Sequence, residues 1–222
     1  MRDIDTEIIP AINASTFDEV ADKLTKTRGE ARWVHIDVAD GTFAKNVLWH
    51  HANDLEEFRI HASILPNIEV HLMIENPEAA IADWIRAGAK RIIVHAETMK
   101  DFNGIKRMCD EARVFFMIAI APDTPASFLN PYFDKNIVGF QVLSVHPGVA
   151  GQLFIESGYD KIRYIREKCP LCDIEVDGGV KAGVAKKCRE AGANIFVSAS
   201  AIFNAETIKQ GVEDLRIDIS LE

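Results

Sequence analysis

The chain has 222 residues, 48% of them hydrophobic and 27% charged, with a formal net charge of −9 at pH 7. So acidic a balance argues against nucleic acid or an anionic membrane as the main partner. No apolar run approaches the roughly 20 residues of a membrane-spanning helix, and Met1-Arg2-Asp3-Ile4-Asp5 is too acidic and polar for a secretory signal. The expectation is a cytoplasmic protein folded as one domain over residues 1–222.

Short apolar runs predict strands near Glu7–Ile12, Arg32–Val38, Asn67–Met73, Arg91–His95, Val114–Ile120, Val138–Val145, Asp173–Asp177 and Asn194–Ser198. Helical spacing occupies Phe17–Thr27, Pro77–Ala87, Phe102–Ala112, Tyr159–Lys168 and Val180–Ala191. Pro77 suits a first helical turn, and Gly88 and Gly192 sit just past helix ends. Strands alternating with helices along the whole length read as a compact α/β protein, a (β/α)8 TIM barrel. Cys169-Pro-Leu-Cys172 is a CxxC pair, but no second pair or nearby histidine completes a zinc ribbon, so a structural role is expected.

Side chains two apart on a barrel strand share a face. In Trp33-Val-His35-Ile-Asp37-Val38 the residues Val34, Ile36 and Val38 suit the helix-facing layer, which turns Trp33, His35 and Asp37 inward. The same logic turns Glu69, His71 and Met73 inward, and likewise Asp173, Glu175 and Asp177. His35, Asp37, His71 and Asp177 fall near the C-terminal ends of their strands, where barrel active sites are built. Two imidazoles and two carboxylates converging there form a set suited to Zn²⁺, Fe²⁺, Mn²⁺ or Co²⁺. Glu69 and Glu175 lie deeper, and a structural salt bridge is expected for them.

Asp177-Gly-Gly179 closes the seventh strand, and Ser198-Ala-Ser200-Ala closes the eighth before a helix. Glycine allows backbone N–H groups to approach a ligand, and the loops after the last two strands are the usual phosphate site of this architecture. His146-Pro-Gly-Val-Ala-Gly151-Gln, after the sixth strand, is placed to close over such a ligand.

These motifs together resemble the ribulose-phosphate 3-epimerase family of ribulose-phosphate-binding barrels. The matching stretches are His35-Ile-Asp-Val-Ala-Asp-Gly-Thr-Phe-Ala-Lys-Asn46, Glu69-Val-His-Leu-Met73, Ala119-Ile-Ala-Pro-Asp-Thr-Pro125, Leu143-Ser-Val-His-Pro-Gly-Val-Ala-Gly-Gln152, Glu175-Val-Asp-Gly-Gly-Val180 and Ala191-Gly-Ala-Asn-Ile-Phe-Val-Ser-Ala-Ser-Ala201, in family order. The resemblance implies a metal-dependent isomerase of the pentose phosphate pathway that inverts C3 of a ketose phosphate through an enediolate. His35, Asp37, His71 and Asp177 would hold the metal. Asp37 and Asp177 would exchange protons on opposite faces, and Met73 would pack near the intermediate. The phosphate would rest on the backbone of Gly148, Val149, Ala150, Gly151, Gly178, Gly179, Ala199 and Ser200. Resemblance also implies a homo-oligomer.

Several positions depart from the family pattern. Pro10 is followed by Ala11-Ile-Asn13 rather than Ser-Ile-Leu, Ala39 and Leu143 stand where methionines are usual, and His146 replaces an acidic residue. Ala121 stands where lysine is common, and Ala150 and Ala199 replace glycines, the latter acceptable only with negative φ. The changes keep two alternatives open beside a ribulose 5-phosphate 3-epimerase. One is an epimerase of another ketose phosphate such as allulose 6-phosphate; the other is a non-catalytic sugar-phosphate-binding barrel. A lyase on the same barrel is disfavoured, because Asp37-Val-Ala39 lacks the lysine of an Asp-x-Lys site. His95 ends the fourth strand without an assigned role.

Overall fold

A computed structural model describes residues 5–62, 64–148 and 151–220. Eight parallel strands close into a barrel in chain order. They are β1 (Glu7–Ile12), β2 (Trp33–Ala39), β3 (Asn67–Met73), β4 (Arg91–His95), β5 (Phe115–Ile120), β6 (Gly139–Leu143), β7 (Asp173–Asp177) and β8 (Ile195–Ser198). The helices are α1 (Phe17–Lys26), α2 (Ala52–His61), α3 (Ile81–Arg86), α4 (Phe102–Ala112), α5 (Ser157–Lys168), α6 (Val184–Ala191), α7 (Ser200–Phe203) and α8 (Ile208–Ser220). A 3-10 segment, Ala126–Tyr132, carries the crossover between β5 and β6. No helix among the described residues is long and apolar enough to cross a membrane.

Period-two alternation builds the wall. Val34, Ile36 and Val38 of β2, with Ile68, Val70 and Leu72 of β3, pack outward against helix residues such as Leu24, Leu55, Trp84 and Ile105. Each such buried aliphatic side chain contributes roughly 1.5–3 kcal/mol. Ile9, Ala11, Trp33, Ile195 and Val197 form one apolar cluster of the barrel, and Ile93, Met117 and Ala119 another. Buried with them are the polar side chains of His35, Asp37, Glu69, His71, Arg91, His95, Gln141, Glu175 and Asp177.

Local signals explain most helix limits. Thr16 caps α1 by accepting from the Glu19 N–H, while the Glu19 carboxylate accepts from the N–H of Ser15, just before the cap. Gly88 and Gly192 both take positive φ after α3 and α6. Three predicted elements are shortened by more than one residue or divided. The helix expected over Val180–Ala191 starts at Val184, because Gly183 has φ of +79°. Pro77–Ala87 divides into a 3-10 turn, Pro77–Ala79, and α3. The sixth strand stops at Leu143, where the Ser144 N–H crosses to the Asp177 carbonyl. Helix α2 carries little helical pattern, since only Ala52 and Leu55 of it are buried.

Candidate active site

Strand register assembles the site. Asp37 of β2 pairs in register with His71 of β3, His35 with Glu69, and Leu143 of β6 with Asp177 of β7. His35 Nε2 and His71 Nδ1 each lie 3.2 Å from Asp37 Oδ1. Asp177 Oδ2 is 3.5 Å from His71 Nδ1 and 3.9 Å from His35 Nε2. One donor atom from each of the four residues falls within 4.8 Å of the others. Both histidines are fully buried, while the two aspartates reach the floor of an open cavity.

Behind this set lies a second polar layer. His35 Nδ1 faces Glu69 Oε1 at 2.8 Å, and Glu69 pairs with Arg91 of β4. Arg91 also lies 3.5 Å from both Glu175 and Glu7, and its guanidinium stacks over Trp33 at 4.3 Å. Gln141 donates to Glu175 Oε1. The salt bridge expected for the two glutamates is therefore present, with Arg91 as its cation. His35, Glu69 and Glu175 also form a group with metal-ligand spacing, but the Arg91 charge already compensates it. Burial raises the Glu175 carboxyl to about 8, with the Glu69 charge adding to the shift. Burial also opposes ionisation of Glu69, yet Arg91 and His35 hold it below the usual range.

The same competition acts on the four converging residues. Burial works against the Asp37 carboxylate, but hydrogen bonds from His35 and His71 override it and keep it strongly acidic. Burial disfavours the charged imidazoles, yet the surrounding carboxylates raise both His35 and His71. Two buried carboxylates thus demand a cation between them, supplied either by protons on the imidazoles or by a metal. The donor set is mixed nitrogen and oxygen, buried and compact, and each imidazole has its remote nitrogen held by another side chain. Those are the features of a divalent transition-metal site.

Above the floor, the cavity is lined by Met73, Leu143, Gly148, Gly151, Gly178, Gly179, Ala199 and Ser200, with Ala11 and Asn13 on the β1 side. Val149 and Ala150 lie outside the described residues. The Gly178 and Gly179 N–H groups, and that of Ser200, find no acceptor among the described residues. Both glycines have positive φ, and a Cβ on Gly179 would sit 2.5 Å from the Phe154 backbone nitrogen. Lys181, which sequence reasoning did not single out, is the one cation on the cavity wall among the described residues.

The model of the ribulose-phosphate 3 epimerase family matches residues 7–203. The chain belongs to this family, a family of isomerases. It is 32% identical over 215 residues to the ribulose-phosphate 3-epimerase of Mycobacterium tuberculosis, covering 94% of this chain and 91% of that protein. It is 36% identical over 184 residues to the enzyme of that name from Chlamydia muridarum, covering 80% and 79%. Among solved structures it is similar to 3-hexulose-6-phosphate synthase from Salmonella typhimurium, with a TM-score of 0.72 at 14% identity over 96% of this chain and 98% of that one. That likeness establishes the barrel and nothing finer.

Positions that depart from the epimerase family pattern fall into two groups. Ala11, Asn13 and Leu143 line the cavity, and the Asn13 amide donates to Asp37 Oδ2 at 3.2 Å. Ala39, by contrast, is fully buried, packed among Ala44, Leu48, Met73, Leu143 and Val145 with Phe43 against them, so its missing bulk leaves no opening. Ala199 has φ of −95°, which accommodates its methyl. His146 is exposed on the rim, 3.7 Å from Asp123. Beside Ala121, the buried Lys161 donates to the Ala121 and Pro122 carbonyls.

Sequence reasoning gave His95 no role and did not name Glu97. The structure places His95 Nε2 at 2.9 Å from His71 Nε2, and His95 Nδ1 at 3.2 Å from Glu97 Oε2. The signal was available: His95-Ala-Glu97 repeats, at a strand end, the spacing of His35-Ile-Asp37. Trp49 packs inside the shell between Phe17 and Trp84 rather than at the surface. The four cysteines are free, and Cys172 directs its thiol to the Cys169 carbonyl.

Proposed function

We propose that this chain is a metal-dependent 3-epimerase that interconverts ribulose 5-phosphate and xylulose 5-phosphate. The observation that carries the reading is the convergence of Asp37 and Asp177, from β2 and β7, on one cavity floor in front of two buried imidazoles. Inverting C3 requires a proton to leave one face of the carbon and another to arrive on the opposite face of the planar enediolate. Asp37, kept ionised by its imidazole neighbours, removes the first proton. Asp177 delivers the second, and the roles exchange in the reverse direction.

His35, Asp37, His71 and Asp177 would hold a divalent ion, and their donor set accepts zinc, iron, manganese or cobalt. When bound, such an ion supplies Lewis-acid stabilisation of the negative charge that develops on the substrate oxygens. Met73 and Leu143, both nearly inaccessible, form an apolar wall beside the reacting carbon and limit the approach of water. The N–H groups of Gly178, Gly179 and Ser200 would receive the phosphate, with Lys181 offsetting the acidity of the protein around it.

The test is exchange of the C3 hydrogen of ribulose 5-phosphate in deuterated water, followed by NMR with added Zn²⁺, Mn²⁺ or Fe²⁺. Asp37→Asn and Asp177→Asn are run beside the wild type. Metal-dependent exchange with xylulose 5-phosphate appearing, abolished in both variants, supports the assignment. A folded, metal-loaded wild type that exchanges nothing overturns it.

A second reading, a 3-epimerase of a different ketose phosphate such as allulose 6-phosphate, draws on the small Ala11 and the polar Asn13 in the cavity wall. The same exchange measured with both substrates separates the two.

A further inference from the structure

We infer that His95 and Glu97 are positioning residues that hold His71 in the tautomer protonated at Nε2, leaving its Nδ1 lone pair free for the metal. The inference rests on the metal-dependent reading of the site. Neither residue touches the four candidate ligands except through His71 Nε2, and both stand on or just beyond the end of β4.

Proton accounting along the chain of contacts fixes every position. Glu97 Oε1 accepts the Ala121 N–H at 2.8 Å, which anchors the carboxylate, and Oε2 faces His95 Nδ1 at 3.2 Å. A carboxylate has only acceptors, so His95 Nδ1 must carry a hydrogen. In the neutral imidazole so fixed, the hydrogen on Nδ1 leaves His95 Nε2 as an acceptor. The group 2.9 Å away is His71 Nε2, and two acceptors cannot share that distance. His71 Nε2 therefore donates.

A neutral His71 then presents a bare lone pair at Nδ1, 3.2 Å from Asp37 Oδ1 and 3.5 Å from Asp177 Oδ2. Lone pair facing carboxylate oxygens is repulsive unless a cation lies between them, so the relay makes the position receptive to a metal. The rings of His71 and His95 are nearly parallel, 23° apart with centroids at 5.0 Å. Phe43 packs over His95 at 4.6 Å, and both rings are closed off from water. Nothing in this packing allows either imidazole to turn and exchange its nitrogens without breaking two hydrogen bonds. His35 is held in the corresponding way by Glu69, but with a carboxylate directly behind it. Behind His71 the imidazole of His95 intervenes between the ring and the Glu97 carboxylate.

Two readouts test the relay without reference to turnover. Long-range proton–nitrogen NMR spectra of histidine-labelled protein report each tautomer through the carbon-bound ring protons. The expected result in the Zn²⁺-loaded protein is Nδ1–H for His95 and Nε2–H for His71. Competition with a chromophoric chelator measures Zn²⁺ affinity in the wild type, His95→Phe, Glu97→Ala and His95→Gln. Loss of an outer partner of this kind weakens metal binding by about 10- to 100-fold, and that loss is expected for His95→Phe and Glu97→Ala. Glutamine can accept with its oxygen and donate with its nitrogen, so His95→Gln is expected to recover part of the affinity. Circular dichroism of the metal-free variants shows that they are folded.

Wild-type Zn²⁺ affinity in folded His95→Phe and Glu97→Ala, or the opposite tautomer at His71, would overturn the relay while leaving the metal site standing. If the wild type binds none of Zn²⁺, Mn²⁺ and Fe²⁺, the metal reading itself fails and takes this role with it.

Discussion

Asn13 donates its side-chain amide to Asp37 Oδ2 at 3.2 Å, whereas His35 and His71 both face Oδ1. The carboxylate is thus divided: one oxygen turns to the imidazoles, and the other is oriented by an amide on the cavity wall. Lys23 in turn donates to the Asn13 carbonyl at 3.2 Å, which steadies the end of β1. Hydrogen bonds to charged groups contribute roughly 1.5–3 kcal/mol. Replacing Asn13 by alanine should therefore lower kcat at least tenfold if Asp37 Oδ2 is the oxygen that takes the proton, with little change in Zn²⁺ affinity. Steady-state kinetics beside chelator competition measure both; an unchanged kcat would show that the orientation of Oδ2 is immaterial.

The two ends of the proposed phosphate cradle should differ in their response to one methyl group. Gly179 combines φ of +67° with backbone only 2.5 Å from the position a Cβ would take. The left-handed conformation alone costs an L-residue roughly 1–2 kcal/mol, and the contact with Phe154 adds to it. Gly179→Ala is expected to lower the urea midpoint and raise KM for the phosphorylated substrate. Ala199→Gly should leave KM within about twofold, because φ of −95° there needs no glycine. Equal KM changes in the two variants would mean that the cradle does not contact the phosphate.

Arg91 is the cation beneath the site, paired with Glu69 and flanked by Glu175 and Glu7. Removing one partner of a buried pair typically costs 3–5 kcal/mol, because the other charge is left uncompensated. Arg91→Met should lose roughly that much, and the double variant Arg91→Met with Glu69→Gln should recover part of the loss. Urea unfolding of the wild type, both single variants and the double variant gives the coupling. Additive losses would mean that the pair is not compensating charge inside the barrel.

The barrel and the four converging residues were legible because both follow from strand alternation. Once Val34, Ile36 and Val38 face the helices, His35 and Asp37 have nowhere to point but inward. The same parity aligns His71 and Asp177 with them. What parity does not carry is the identity of partners across the barrel. Arg91 was one basic residue at the start of a strand; the register of β3 with β4 sets it beside Glu69, and barrel closure brings it to Glu175. His95 and Glu97 were obscured in a different way: Glu97 lies past the strand end, where a loop rather than the pleat directs the side chain. The helix limits missed at Val184 and Ile81 turned on backbone geometry at Gly183 and on a 3-10 turn, neither of which leaves a mark on hydrophobic spacing.

Glu97 sets a further, pH-dependent expectation. Burial pushes its carboxyl up, but hydrogen bonds from His95, Thr124 and the Ala121 N–H, together with the charge His95 carries when protonated, bring it to about 2. A carboxyl more acidic in the folded than in the unfolded state stabilises the fold above its unfolded value, near 4.5, and loses that contribution as pH falls toward its folded value. At about 1.36 kcal/mol per pH unit the full shift would be worth roughly 3 kcal/mol. His95 is neutral at pH 7, so its charge does not act there, and roughly 1–2 kcal/mol remains from the hydrogen bonds. Glu97→Gln should therefore be less stable than the wild type by about that amount at pH 6–8, with the gap closing from pH 4.5 downward. Urea midpoints of both proteins at pH 7, 5, 4 and 3 measure the gap. If it is as wide at pH 3 as at pH 7, the ionised carboxylate is not what Glu97 contributes, and the anchoring of His95 must come from the shape of the side chain alone.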